Sequence, residues 1–146
     1  MDELISGEAL LHLSMRLYRL QVEILDYLSE PLSVRQFRIL DRVDRHISSM
    51  TELAALARRR PPTISKSVDS LVRRGLLTRE GSLADRRVIA LALTEKGEEI
   101  LKEARSSFEE FSTWIGRQLK SETPALNELF DSIYDETESR LRPDGA

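Results

Sequence analysis

The 146-residue sequence predicts a mainly α chain with one small β-hairpin, an α+β class. Three observations predict it. Apolar residues recur at alternating spacings of three and four along most of the chain, the period of amphipathic helices. Between residues 77 and 93 that period drops to two, as in strands. Pro, Gly, Ser and Thr stand where helices would begin and end.

Each element follows in order. Leu10, Leu13, Leu17, Leu20, Ile24 and Leu28 form a heptad-like seam, predicting a long helix over 7–29 that Pro31 stops. Ser33 caps a second helix with Phe37, Leu40 and Val43 on one face. Ile47-Ser48-Ser49 connects to a third, Ala-rich helix, capped by Ser49 or Thr51, with Leu53, Leu56 and Ala57 inward. Pro61-Pro62 suits a helix start, where a missing N–H has no intrahelical partner to lose. This fourth helix runs to about Arg74, and Gly75 fits the left-handed position after it. Ile64, Val68, Leu71 and Val72 share its inner face. Pro62, Lys66, Asp69 and Arg73 lie opposite, flanked by Thr63 and Ser70, with Asp69 and Arg73 as an i,i+4 pair.

Residues 77–80 and 88–93 read as strands, joined by a turn over 81–87 that carries Arg86 and Arg87. A hairpin this small is too weak to stand alone and must pack on the helices before it. Thr94 caps the next helix, although Gly97 holds the place where a capping box wants Glu or Gln. Leu101, Ala104, Phe108, Phe111 and Ile115 line that helix. Pro124 opens a last one with Leu126, Leu129, Phe130, Ile133, Tyr134 and Leu141.

Composition excludes several function classes. Cysteine is absent, which rules out thiolate ligation, thiol sensing and cysteine nucleophiles. His12 and His46 stand alone, without a second ligand at metal-binding spacing, and the six glycines form no phosphate loop. The sequence therefore predicts a protein that is not an enzyme and holds no cofactor. No run approaches the ~18 apolar residues of a membrane helix, and no basic, apolar leader opens the chain. A soluble, cytoplasmic protein without a membrane partner is expected.

Charge distribution is more informative than its total. Residues 58–87 hold nine positive and three negative side chains, a local +6 in a chain of net −3. From Glu95 onward the balance is 13 acids to 7 bases. A positive island in an acidic frame suits an anionic partner. Two short helices, a turn, an amphipathic helix and a basic hairpin form a helix-turn-helix with a wing. Such a helix can enter the major groove of duplex DNA with its N-terminal side chains at the base edges. Thr63, Ser65 and Lys66 occupy that end, with Pro62 restricted to apolar contact. Arg73 and Arg74, nearer the helix end, suit phosphates. Arg86 and Arg87 on a narrow hairpin suit a minor groove.

The order of elements, the run ISSMTELAALARRRPPTISKSVDSLVRRGLLTRE and the segment DRRVIALALTEKG resemble the MarR family of winged helix-turn-helix regulators, over about residues 32–97. The resemblance implies a DNA-binding domain at 32–94 and a helical dimerisation region from 1–31 and 95–146. It implies base contacts by Pro62, Thr63, Ser65 and Lys66; Ser70, Arg73 and Arg74 farther along the helix are expected at the DNA beside them. The Asp-x-Arg of the family's wing falls on Asp85 and Arg87, flanking Arg86, so Arg87 takes the minor groove and Asp85 orients it. Pro62 departs from the polar residue usual in the family. The function implied is transcription regulation, as a repressor, by a homodimer on a near-palindromic site. Family members often bind a small phenolic or carboxylate effector beside the dimer helices. His12, Arg16, Arg19, Phe37 and Trp114, with Met15 and Tyr18, are the residues such a ligand would meet. The alternative reading is a helical dimeric scaffold whose basic face docks an acidic protein, without sequence-specific DNA binding.

Overall fold

The computed structural model describes residues 7–57, 61–81, 89–119 and 132–133. They form α1 (Gly7–Asp26), α2 (Val34–Asp44), α3 (Met50–Leu56), α4 (Pro61–Arg73), β1 (Leu77–Gly81), β2 (Ile89–Leu93) and α5 (Glu95–Leu119). The chain divides into two compact units, 1–108 and 109–146, with the boundary inside α5. Mainly α with one antiparallel hairpin is thus the observed class. The hairpin turn and most of the predicted last helix lie outside the described residues.

The core of the first unit is apolar throughout. Leu25, Ile39, Leu40, Leu53, Ile64, Val68, Leu71, Leu76, Leu77 and Leu101 are its most deeply buried side chains, contributed by every described helix and by β1. Local chemistry ends each helix sharply. The hydroxyl of Ser33 accepts from Gln36 N while the Gln36 side chain accepts from Ser33 N, a complete capping box. Ser49 caps α3, accepting from Glu52 N at 3.1 Å. At the end of α4, Gly75 N donates to Val72 O and Leu76 N to Leu71 O. With Gly75 at φ 69°, this is the Schellman arrangement.

The hairpin does not stand alone. β1 and β2 pair with Leu77 opposite Leu93 and Gly81 opposite Ile89. On its other side β2 meets the segment before α3: Leu91 N donates to Ser48 O at 3.0 Å, and Ser49 bridges Ala90. Thr94 caps α5, accepting from Gly97 N at 3.0 Å, while its own hydroxyl donates to Gly75 O at 2.6 Å.

One expectation needs correction. Leu56, expected inward, is half exposed, and Ala54 takes the buried position beside Leu53. Of the α1 seam Leu28 is in the core, whereas Leu13 and Leu17 are exposed.

Candidate nucleic-acid interface

The site is built on α4. Ile64, Val68 and Leu71 are fully buried, which fixes the helix's rotation and turns the opposite face outward. On that face Pro62, Lys66 and Arg73 are exposed, and Thr63 and Ser65 are half buried at its shoulders. The Lys66 ammonium, the Arg73 guanidinium and the Thr63 and Ser65 hydroxyls have no partner among the described residues. The sequence-predicted reading end is therefore assembled in one place, with its polar groups uncommitted.

Asp69 breaks the pattern expected of it. Its carboxylate pairs with Arg79 of β1, not with Arg73 one turn on. The strand base lies close enough to compete, which i,i+4 spacing alone does not reveal. The pair ties the middle of α4 to the root of the hairpin.

Arg74 and Ser70 face inward. The Arg74 guanidinium donates from Nε to Glu30 Oε1 at 2.9 Å, from Nη2 to Pro31 O at 2.6 Å and from Nη1 to Gln36 Oε1 at 3.3 Å. Gln36 Nε2 donates to the Ser70 hydroxyl at 3.3 Å. Lys96 joins the cluster by pairing with Glu30 and donating to Arg74 O at 3.1 Å. The hydrogen bond from Lys96 holds the Glu30 carboxyl below its usual value. Partial burial opposes this, and the Arg74 guanidinium reinforces it. Arg74 thus secures the C-terminal end of α4 to the α1–α2 connection and to the start of α5. The doublet Arg73-Arg74 carries no hint in sequence of which guanidinium is committed; the helix rotation decides it.

α5 is fastened further along. Arg105 donates to Asp41 Oδ1 from Nη2 at 2.6 Å and to Asp44 Oδ2 from Nη1 at 2.7 Å. Glu103 accepts from both the N–H and the hydroxyl of Ser29.

Comparison with known proteins decides what carries this geometry. A sequence profile described as "MarR family" matches residues 31–88, the segment from α2 to the edge of β2. YhbI of Bacillus subtilis (strain 168), an uncharacterized HTH-type transcriptional regulator, is 29% identical over 134 residues, 89% of this chain and 87% of its own. Over residues 31–88 this chain is therefore similar to the MarR family. Solved MarR-like structures share its fold. That of Streptococcus pneumoniae FabT in complex with DNA has a TM-score of 0.78 at 20% identity, covering 91% of this chain and 95% of FabT. That of an S. aureus MepR variant bound to an oligodeoxyribonucleotide has a TM-score of 0.63 at 22% identity, covering 92% and 96%.

This chain carries the residues expected at the DNA on α4. Its wing residues Asp85, Arg86 and Arg87 lie outside the described residues. The expected effector residues fall on α1, α2 and α5. His12 is exposed on α1, 3.7 Å from Glu8, and Arg16 and Arg19 are exposed on the same helix. Phe37 is half buried against the core, its ring centroid 4.9 Å from that of Phe108. In the second unit Trp114 is exposed and stacks on Phe111 at 5.8 Å. Among the described residues no helix is long and apolar enough to cross a membrane.

Proposed function

We propose that this chain is a MarR-family transcription regulator that binds duplex DNA as a homodimer and acts as a repressor at a near-palindromic site. In this reading the first turns of α4 lie in the major groove. Lys66 suits guanine O6/N7, and the Thr63 and Ser65 hydroxyls serve donor or acceptor edges. Arg73 takes a phosphate. Arg87, oriented by Asp85 and accompanied by Arg86, enters the minor groove. Arg74 and Ser70 act from behind, holding the helix at the angle the groove requires. Two-fold symmetry spaces the two α4 helices about 34 Å apart, one turn of DNA. A small aromatic or carboxylate ligand near α1 would release the complex, with Arg16 or Arg19 pairing its charge.

One observation carries the proposal. The outward face of α4 keeps its cations and hydroxyls uncommitted among the described residues, while the neighbouring Arg74 and Arg79 both have carboxylate partners. DNA bound to FabT and to the MepR variant supports the docking mode.

The test is duplex binding across salt concentrations, on sites selected from random sequence. The logarithm of affinity should fall linearly with the logarithm of salt, with a slope of about −0.9 per neutralised phosphate. Lys66→Ala should relax preference at particular base pairs by roughly 1–3 kcal/mol. Arg87→Ala should weaken all duplexes together. A chain that binds no duplex in any salt would instead be the protein-docking scaffold.

A further inference from the structure

A second basic surface lies outside the α4 face. Arg35, Arg38 and Arg42 stand at i, i+3 and i+7 on α2, one stripe about 10 Å long. Arg35 and Arg38 are exposed and have no partner among the described residues. Arg42 is half buried, and its Nη2 donates to Leu56 O, at the end of α3, at 3.1 Å. Burial and then the adjacent charge of Arg38 depress the Arg42 guanidinium's affinity for its proton, with the Asp41 carboxylate opposing them. Like charges are therefore gathered on this face.

α2 has acids as well, but it segregates them. Asp41 and Asp44 both turn to Arg105 of α5, and Asp41 also takes Arg45. Elsewhere in the winged segment Arg74 and Arg79 each hold a carboxylate. A helix that sends its carboxylates to one side and leaves exposed guanidiniums on another presents a surface for an anion supplied from outside.

We infer that the α2 arginine stripe is a phosphate clamp for the DNA backbone flanking the groove that α4 enters. This rests on the duplex-binding reading above. Continuity favours this occupant. The stripe is hydrogen-bonded to the end of α3, and the chain starts α4, whose first turn is the reading end, only five residues after Leu56. That separation is at most about 17 Å of extended chain. The phosphates along the groove edge of a duplex are spaced closely enough for a row of guanidiniums about 10 Å long to engage more than one. Phosphate contacts of this kind set register and affinity without reading sequence.

The experiment compares wild type, the double variant Arg35→Ala/Arg38→Ala and Lys66→Ala on a selected duplex and a scrambled one, over a range of salt. Both stripe residues are exposed and unpaired, so the double variant keeps its fold, which thermal unfolding verifies. The expected result is a salt slope shallower by about 4, roughly 0.9 for each of the four arginines that the homodimer loses, with affinity falling by the same factor on both duplexes. Arg35→Lys/Arg38→Lys should restore most of the slope, because a phosphate accepts a point charge. Ethylation of the phosphates flanking the half-site should hinder wild type and not the double alanine variant. If the double alanine variant matches wild type in slope and affinity while Lys66→Ala alters base preference, the clamp is refuted and duplex binding stands. If wild type binds neither duplex, the underlying reading falls first.

Discussion

His46 holds φ 67° in the position after α2 where helices favour glycine. His46 N donates to Val43 O at 3.0 Å and Ile47 N to Arg42 O at 3.0 Å, the same arrangement that Gly75 completes at the end of α4. An L-residue in the left-handed region carries a cost of roughly 1–2 kcal/mol. Glycine would relieve it, offset in part by its greater freedom in the unfolded chain. His46→Gly should therefore stabilise the protein by about 0.5–1 kcal/mol, raising the thermal midpoint by about 2 °C. An unchanged or lowered midpoint in calorimetry would show that the histidine side chain compensates the strain. Gly97 makes the complementary point. A Cβ there would stand 2.0 Å from Leu76 O, so the residue is glycine because the start of α5 rests on the end of α4. The sequence shows it only as a defect in a capping box, since the neighbour that forbids a side chain is 21 residues away.

Among elements, those with strong periodicity and a local stop signal were legible. α4 runs from Pro61 and is closed by Gly75, and α2 and α5 start at Ser33 and Thr94, because those signals act within a few residues. The ties between elements were not legible. Asp69 chooses Arg79 over Arg73, Arg74 chooses Glu30, and β2 finds Ser48 and Ser49, all across separations that only the fold establishes. Of these, the Glu30 node makes a pH prediction. Its folded-state value is lowered, so its contribution is present in full above the unfolded value near 4.3 and is lost as pH falls through the lower folded value. Stability from this site should be constant from pH 7 to 5 and should decline in more acid solution. Glu30→Gln should lower the thermal midpoint at pH 7 and flatten the acid limb. A variant that kept the wild-type limb would place acid sensitivity at another carboxylate.

For the molecule as a whole, α1 carries an apolar surface that the core of its own chain does not cover. Leu11, Met15 and Tyr18 lie at i, i+4 and i+7, and all are exposed, as are Leu13 and Leu17 around the same helix. Isolated exposed leucines are ordinary, whereas a run along one helix marks an interface. The seam read from sequence is thus real as a pattern, but only its last turns serve the core of this chain. The rest fits the homodimer proposed above, in which a second copy covers it. Leu11→Glu/Met15→Glu should then reduce the sedimenting species to monomer at micromolar concentration while leaving helix content intact. Losing simultaneous engagement of two half-sites should weaken binding to the full site by about 100-fold or more. Binding to a single half-site should change little, because α4 and the α2 stripe remain in place. A variant that stays dimeric would move the interface away from this stretch of α1, and one that unfolds would mean that these side chains serve the monomer's own stability.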